Sequence, residues 1–153
     1  MNEDLLKQYQ SQLHWHLPEE TQQQAVTWLT ENMPRGELVR IFTPFDKACL
    51  QNGVKVVEAI GYPANKAALP SLVELFQDIN WPGALEVIDY FKTLEKSIVI
   101  PYIEAGGQQA MDDQDDQWLW FLYDVCDRLN IERHDFQNAS IFDEMKRIYE
   151  RDV

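Results

Sequence analysis

The chain has few of the residues that catalysis or metal binding would require. Its two cysteines, Cys49 and Cys126, are isolated and lack the spacing of metal ligands, so we expect two reduced thiols packed as small apolar groups. His14 and His16 could share a metal only in an extended segment, and no third ligand is nearby in sequence. No HExxH, phosphate-binding glycine loop or nucleophile elbow occurs, so the sequence predicts no catalytic residue, metal site or cofactor.

Long hydrophobic runs are also missing. The first ten residues carry acids where a secretory signal carries positive charge, and apolar runs such as 98–103 are far shorter than the roughly 20 residues that cross a bilayer as a helix. We therefore expect a cytoplasmic protein without membrane contact. No pattern specifies an oligomeric state.

Basic residues are scarce. Thirteen Lys and Arg stand against 26 Asp and Glu, for a net charge of -13, and residues 67–127 alone hold twelve acids and two bases. Such a field repels nucleic acids and anionic lipids and attracts basic proteins. A basic protein is therefore the partner that this charge favours, while solubility is the alternative reason for an acidic surface.

The clearest positive feature is an internal repeat, in which residues 56–76 recur 31 positions later as residues 87–107. A fixed period of this length is typical of stacked helical hairpins that bury apolar faces only against their neighbours. The matched pairs are Val56 and Val87, Val57 and Ile88, Ile60 and Phe91, Leu69 and Ile100, Pro70 and Pro101, and Leu72 and Ile103.

Local signals predict where helices begin and end. A helix is expected from Pro18 to about Asn32, and another from Thr43-Pro44, with Asp46 in its first turn, to Ile60 before Gly61. Pro70 is expected to begin or kink a short helix, and Pro82 to begin the next one. Ser97 is the expected cap of a helix that ends at Gly106-Gly107, and Ser140 opens a capping box for the last helix.

These signals predict an all-α protein of seven to nine helices, with no strand, built from stacked helical hairpins. We expect a single domain over residues 1–153. Within it, residues 1–44 are an N-terminal helical extension or divergent repeat, 45–130 are the repeat core, and 131–153 form a C-terminal capping helix.

Residues 61–84, GYPANKAALPSLVELFQDINWPGA, contain a GYP turn, an LPxL helix start and a QDxNWP turn in that order. This segment resembles the signature of an uncharacterised bacterial family, domain of unknown function number 5071. The run 115–118 resembles that family's acidic turn and tryptophan-bearing helix, although Leu75, Gly83 and Phe121 depart from its pattern. The resemblance covers about residues 45–130 and implies a HEAT-like helical superhelix, but no activity.

Two segments are candidate binding sites. In the first, Asp78, Asn80 and Trp81 either present an aromatic ring beside a carboxylate for recognition, or cap the following helix with the tryptophan in the core. Short turns between helices use the same residue types for capping, so both interpretations stay open.

The second segment is an acidic loop that contains Asp112, Asp113, Asp115 and Asp116. It fails as an EF-hand, because Trp118 falls where the sharp turn requires glycine. A looser divalent-ion site and a solvated helix terminus both remain. Trp118, Trp120 and Phe121 cannot all be buried on one helix face, so we expect at least one to be an exposed binding residue.

The function that these features favour is binding of another protein, with an immunity or antitoxin-type inhibitor of a basic enzyme as the concrete version. The alternatives are a metal-dependent enzyme that uses Asp78, Asp112 and Asp116 as ligands, and a small-molecule binder in the concave face of the repeats.

Overall fold

The computed structural model describes residues 2–151, and this range is helical with no strand, as the sequence predicts. It contains eight α-helices, within the predicted seven to nine: α1 Glu3–Ser11, α2 Glu19–Asn32, α3 Lys47–Ile60, α4 Leu69–Glu74, α5 Ala84–Phe91, α6 Lys96–Asp112, α7 Asp116–Arg128 and α8 Ala139–Arg151. Shorter 3-10 segments lie at Arg35–Phe42, Lys66–Ala68, Leu75–Gln77 and Arg133–Asp135.

The chain divides into two compact units. The first comprises Met1–Ser71 and Trp81–Glu86, and the second comprises Leu72–Asn80 and Val87–Val153. The division falls within α4 and α5, so it does not follow the predicted boundaries at residues 44 and 130.

In the first unit, α2 packs against both α1 and α3. Asp46 caps α3 by accepting a hydrogen bond from the Ala48 backbone N–H at 2.9 Å, and the helix stops at Gly61, whose φ of 79° suits glycine. The prediction for α2 is confirmed, since Pro18 is its N-cap and the helix ends at Asn32, and the predicted end of α3 before Gly61 is confirmed as well. The predicted start of α3 at Thr43-Pro44 is wrong, because α3 begins only at Lys47 and Asp46 is its N-cap rather than a first-turn residue.

The predicted helix start at Pro82 is wrong, because α5 begins only at Ala84. Gly83 has a φ of 92°, which a right-handed helix cannot contain. A Cβ at Gly83 would also lie 3.1 Å from Val54 Cγ2, so this glycine provides both the turn and a close approach to α3.

In the second unit, α7 packs against both α6 and α8. Only residues 113–115 separate α6 from α7, and so short a connection makes these helices antiparallel neighbours, as expected of a hairpin. The start of α6 differs from prediction: Glu95 occupies the N-cap without a side-chain hydrogen bond, and Ser97 lies inside the helix.

The predicted helix end at Gly106-Gly107 is also wrong, because α6 continues to Asp112. Both glycines are buried in the helix interior. A Cβ at Gly106 would lie 2.6 Å from Val73 Cγ1, and one at Gly107 would lie 2.6 Å from Ile141 Cγ2. Glycine is required here for close packing between elements, which outweighs its poor helix propensity.

The last helix begins one residue earlier than its predicted cap. Asn138 Oδ1 accepts a hydrogen bond from the Ser140 backbone N–H at 3.1 Å, and Ser140 lies inside α8. The predicted capping box is therefore displaced. A capping box does occur nearby, between Glu132 and Asp135.

The repeat positions are buried in both copies wherever the two residues are large and aliphatic. Val56 and Val87 are fully buried, as are Leu72 and Ile103. The first copy contributes α3 and α4, and the second contributes α5 and α6. The two copies therefore bury equivalent aliphatic positions.

Candidate functional site

Trp81, one of the predicted binding residues, belongs to the first unit and is only half-buried. Its ring packs on that of Phe45, with centroids 5.1 Å apart, and Lys47 Nζ lies 6.0 Å from the Trp81 ring centroid. Leu85, in the first turn of α5, is 52% exposed and Phe45 is 53% exposed.

Sequence reasoning missed Phe45 and Leu85 as surface residues. Phe45 lies in the short loop before α3, where no hydrophobic periodicity marks its direction. Leu85 adjoins the buried face of α5, which Ala84, Val87, Ile88 and Phe91 form, but is itself 52% exposed.

The large hydrophobic side chains that are exposed in residues 2–151 all belong to the first unit: Leu5, Trp15, Leu17, Val39, Phe45, Tyr62 and Leu85. Trp15 and Leu17 line a groove of about 600 Å³ beside α2 and α3. The buried Asn52 closes its base by donating hydrogen bonds to the Leu13 carbonyl at 2.7 Å and to Gln22 Oε1 at 2.8 Å. The exposed large hydrophobic side chains of the described residues are thus confined to the first unit.

Asp78 and Asn80 belong to the second unit. Asp78 Oδ1 accepts a hydrogen bond from the Asn80 backbone N–H at 2.9 Å, which stabilises a local turn. Asp78 is half-buried and Asn80 is exposed. This contact accounts for Asp78 as a turn residue.

The acidic loop of the second unit is a junction between two helices. Asp112 and Asp113 end α6 and accept hydrogen bonds from the side-chain amides one turn earlier, Gln108 at 2.9 Å and Gln109 at 3.0 Å. Both carboxylates are exposed. They lie at the negative end of the α6 dipole, where a carboxylate costs rather than contributes stability.

Asp115 and Asp116 lie at the N-terminal end of α7. Asp115 caps α7 by accepting from the Trp118 backbone N–H at 3.0 Å, and Asp116 pairs with Arg151 at 3.2 Å. Both carboxylates are favoured by the positive end of the α7 dipole. The four acids therefore divide into two at a helix end that favours negative charge and two, Asp112 and Asp113, at a helix end that disfavours it.

The alternative of a divalent-ion site has no support from this geometry. Within residues 2–151, no three His, Cys, Asp or Glu side chains are grouped so that they could hold a metal ion. Asp78, Asp112 and Asp116 thus do not form the ligand set that the enzyme alternative needs.

Trp118 is not a surface residue, which corrects its prediction as a binding residue. It is 4% exposed and packs beside Gly106, where an added Cβ would lie 3.5 Å from Trp118 Cζ2. Its indole N–H is buried and has no hydrogen-bond acceptor among the described residues. Trp120 is half-buried, with its ring 4.8 Å from that of Tyr149.

The two thiols lie in environments that disfavour the thiolate. Burial raises the pKa of Cys49 to about 11, with Asp46 adding to the effect, and burial raises the pKa of Cys126 to about 12. A nucleophilic cysteine needs the opposite shift. His14 Nδ1 accepts a hydrogen bond from the His16 backbone N–H at 3.1 Å, which gives His14 a local structural role.

Comparison with known proteins adds no relative: no family model, curated protein or solved structure matches the chain. No helix among residues 2–151 is both long enough and apolar enough to span a bilayer.

Proposed function

We propose that this chain is a protein-interaction module whose second unit attracts a basic protein partner. The observation that carries the proposal is the division of charge. The second unit contains seventeen acids and seven bases, for a net charge of -10, whereas the first unit contains nine acids and six bases, for a net charge of -3. Like charges concentrated in one unit repel one another, and a cationic partner relieves that repulsion.

The acids at the end of α6 support this proposal more than the rest of the acidic loop does. Asp112 and Asp113 are exposed, lie at a helix end that disfavours negative charge, and within the described residues accept hydrogen bonds only from the exposed amides of Gln108 and Gln109, so their carboxylates are open to a partner. In protein interfaces aromatic residues contribute most of the contact energy while charges mainly accelerate association, and the first unit separately exposes aromatic side chains, Trp15 and Phe45 among them.

As the concrete version, we propose an immunity or antitoxin-type inhibitor of a cationic enzyme, acting in the cytoplasm. Rapid, electrostatically steered association suits such an inhibitor, because the enzyme must be neutralised before it acts. On the strength of the GYP, LPxL and QDxNWP segments, we also propose that residues 45–130 are related to domain-of-unknown-function family 5071 and form its HEAT-like superhelix.

The test compares two double variants that remove the same charge. D112N/D113N removes the exposed acids at the end of α6, and E31Q/E58Q removes two exposed acids near the ends of α2 and α3 in the first unit. Both substitutions keep side-chain size and occur near helix C-termini, where loss of a carboxylate is tolerated.

Each purified variant is used to capture partners from the native cell lysate, and the affinity of any captured protein is then measured with purified components. We expect a basic partner whose affinity falls about fivefold with D112N/D113N and is unchanged with E31Q/E58Q. Raising NaCl from about 50 mM to about 300 mM should weaken the wild-type complex further. A partner that does not distinguish the two variants, or that is insensitive to salt, would contradict the proposal.

The inhibitor version has a separate test. The product of each gene adjoining this one is co-expressed with the chain, and co-purification and inhibition are measured. A basic enzyme that the chain binds and inhibits supports the version. If no adjoining gene encodes a basic protein that the chain binds, the inhibitor version is refuted. The interaction module is tested independently by the charge variants.

A further inference from the structure

A cavity of about 410 Å³ in the second unit has a lining that contrasts with the rest of that unit. The charged residues that line it are Lys92, Lys96 and Arg128. Three of the unit's seven bases thus meet at one cavity, and none of its seventeen acids contributes to the lining. Lys92 and Lys96 are also the two bases of residues 67–127.

The floor of this basic cavity is apolar. Phe91, Val99, Leu129 and Ile131 line it, and each is at least nine-tenths buried. Apolar walls with a few convergent polar groups are the usual composition of small-molecule sites, and the volume lies within their range of roughly 300–1,000 Å³.

The three bases differ in their hydrogen-bond and ion-pair partners within the protein. Lys96 Nζ donates to the Asn130 carbonyl at 2.5 Å and lies 3.3 Å from Asp135 Oδ2, so Lys96 is part of the wall. Arg128 donates through Nε to Asp124 at 2.9 Å. Among residues 2–151, neither Nη atom of Arg128 has a hydrogen-bond acceptor within the protein, and Lys92 has neither an ion-pair nor a hydrogen-bond partner.

Asp124 thus holds the guanidinium of Arg128 by one edge and leaves the paired Nη groups for a ligand. Such a fork matches the two oxygens of a carboxylate. The carbonyls at the C-terminal end of α7, which would repel an anion, are already hydrogen-bonded: Cys126 O accepts from Ile131 N–H at 2.8 Å, and Val125 O accepts from Leu129 N–H at 2.9 Å.

We propose that the basic cavity binds a small organic acid, with its carboxylate on Arg128 and Lys92 and its hydrocarbon part on the apolar floor. A single negative charge is preferred to a doubly charged phosphate, because the surrounding unit carries a net charge of -10 and penalises each added negative charge. This site is separate from the acidic residues that attract a protein partner.

Octanoate is the probe, followed by chemical-shift titration of the uniformly 15N-labelled protein. Octanol and octylamine share its tail but are neutral and cationic, and inorganic phosphate tests a head group without a tail. We expect octanoate to bind with a Kd of about 0.1–1 mM, at least tenfold tighter than the three comparison compounds, with the largest shifts at the residues that line the basic cavity.

Two variants test the head-group contacts, K92Q and R128Q, and K146Q is the matched control. Lys146 is exposed on α8 and forms an i,i+4 ion pair with Glu150, as Arg128 does with Asp124. K146Q therefore removes one positive charge and one ion pair of the same kind, but Lys146 does not line the cavity. We expect K92Q and R128Q each to weaken octanoate binding about five- to tenfold and K146Q to leave it unchanged. R128K keeps the charge without the fork and should bind with intermediate affinity.

Several results would overturn the proposal. They are the absence of shifts at about 10 mM octanoate, equal affinity for octanol or phosphate, and losses in K92Q and R128Q no larger than in K146Q. Far-UV circular dichroism of each variant confirms folding, and the K92Q result alone decides the matter if R128Q is unfolded.

Discussion

Replacement of Gly106 by alanine should destabilise the protein, although the same change stabilises most helices. Gly106 lies in the interior of α6, where alanine is normally favoured by about 1 kcal/mol. Here the added Cβ would lie 2.6 Å from Val73 Cγ1, whereas carbon atoms in contact prefer about 3.5–4.0 Å.

The magnitude follows from these opposing effects. Val73 is 1% exposed and β-branched, so its methyl group has little freedom to move away. Extra atoms in a well-packed core cost about 1–3 kcal/mol, and an overlap of this size belongs in the upper part of that range. We therefore expect G106A to lower the free energy of unfolding by about 1–2 kcal/mol after the helix-propensity gain is subtracted.

Urea unfolding followed by far-UV circular dichroism measures this change. G36A is the matched control, because a Cβ at Gly36 would meet no atom within 4 Å and should be neutral or slightly stabilising. The double variant V73A/G106A removes the methyl group that clashes. It should be at least about 1 kcal/mol more stable than the sum of the single changes implies.

The reasoning fails if G106A stabilises the protein by about 1 kcal/mol, since helix propensity alone would then decide the outcome. It also fails if V73A and G106A are additive, because additivity would show that the two positions do not contact each other.

Two further predictions concern local contacts. Asp46→Ala removes the α3 cap and should lower the free energy of unfolding by about 1 kcal/mol in urea, whereas Asp46→Asn retains an acceptor and should cost little; equal losses would count against the cap. The Glu132 backbone N–H, followed by Lys96, lowers the pKa of Asp135, and Arg133 lowers that of Asp143. Both carboxylates therefore stabilise the fold above their unfolded pKa of about 4, and this stabilisation is lost as the pH falls through their lower pKa values in the folded protein. Urea unfolding from about pH 6 to about pH 2 should show a smaller acid-induced loss of unfolding free energy in D135N than in wild type.

Much of the fold was predictable because its signals are local. Pro18 and Gly61 each act on their own backbone, through a fixed φ and a positive φ, and the corresponding helix ends agree with prediction. Asp46 also acts locally, but as the cap of a helix that begins at Lys47 and not at Thr43-Pro44. The repeat likewise marked buried positions, because both copies use the same apolar spacing for packing.

The candidate sites were less predictable, since exposure depends on which elements meet. The sequence predicts that Trp118 is available for binding, yet its ring is 4% exposed and packs beside Gly106 of α6. Phe45 has no periodic hydrophobic pattern around it that would indicate its exposure. Lys92 and Arg128 are 36 positions apart and line the same cavity, and the residues next to each of them in sequence do not indicate this.

The sequence by itself determined an all-helical chain, its excess of negative charge and the apolar positions that successive helix pairs share, because these follow from composition and from short-range backbone preferences. Only the tertiary structure decided that Gly106 and Gly107 continue a helix, that the charge excess belongs to one unit, and that three of its few bases line an apolar cavity. Each of these depends on distances between segments remote in sequence, where steric contact and burial outweigh local propensity.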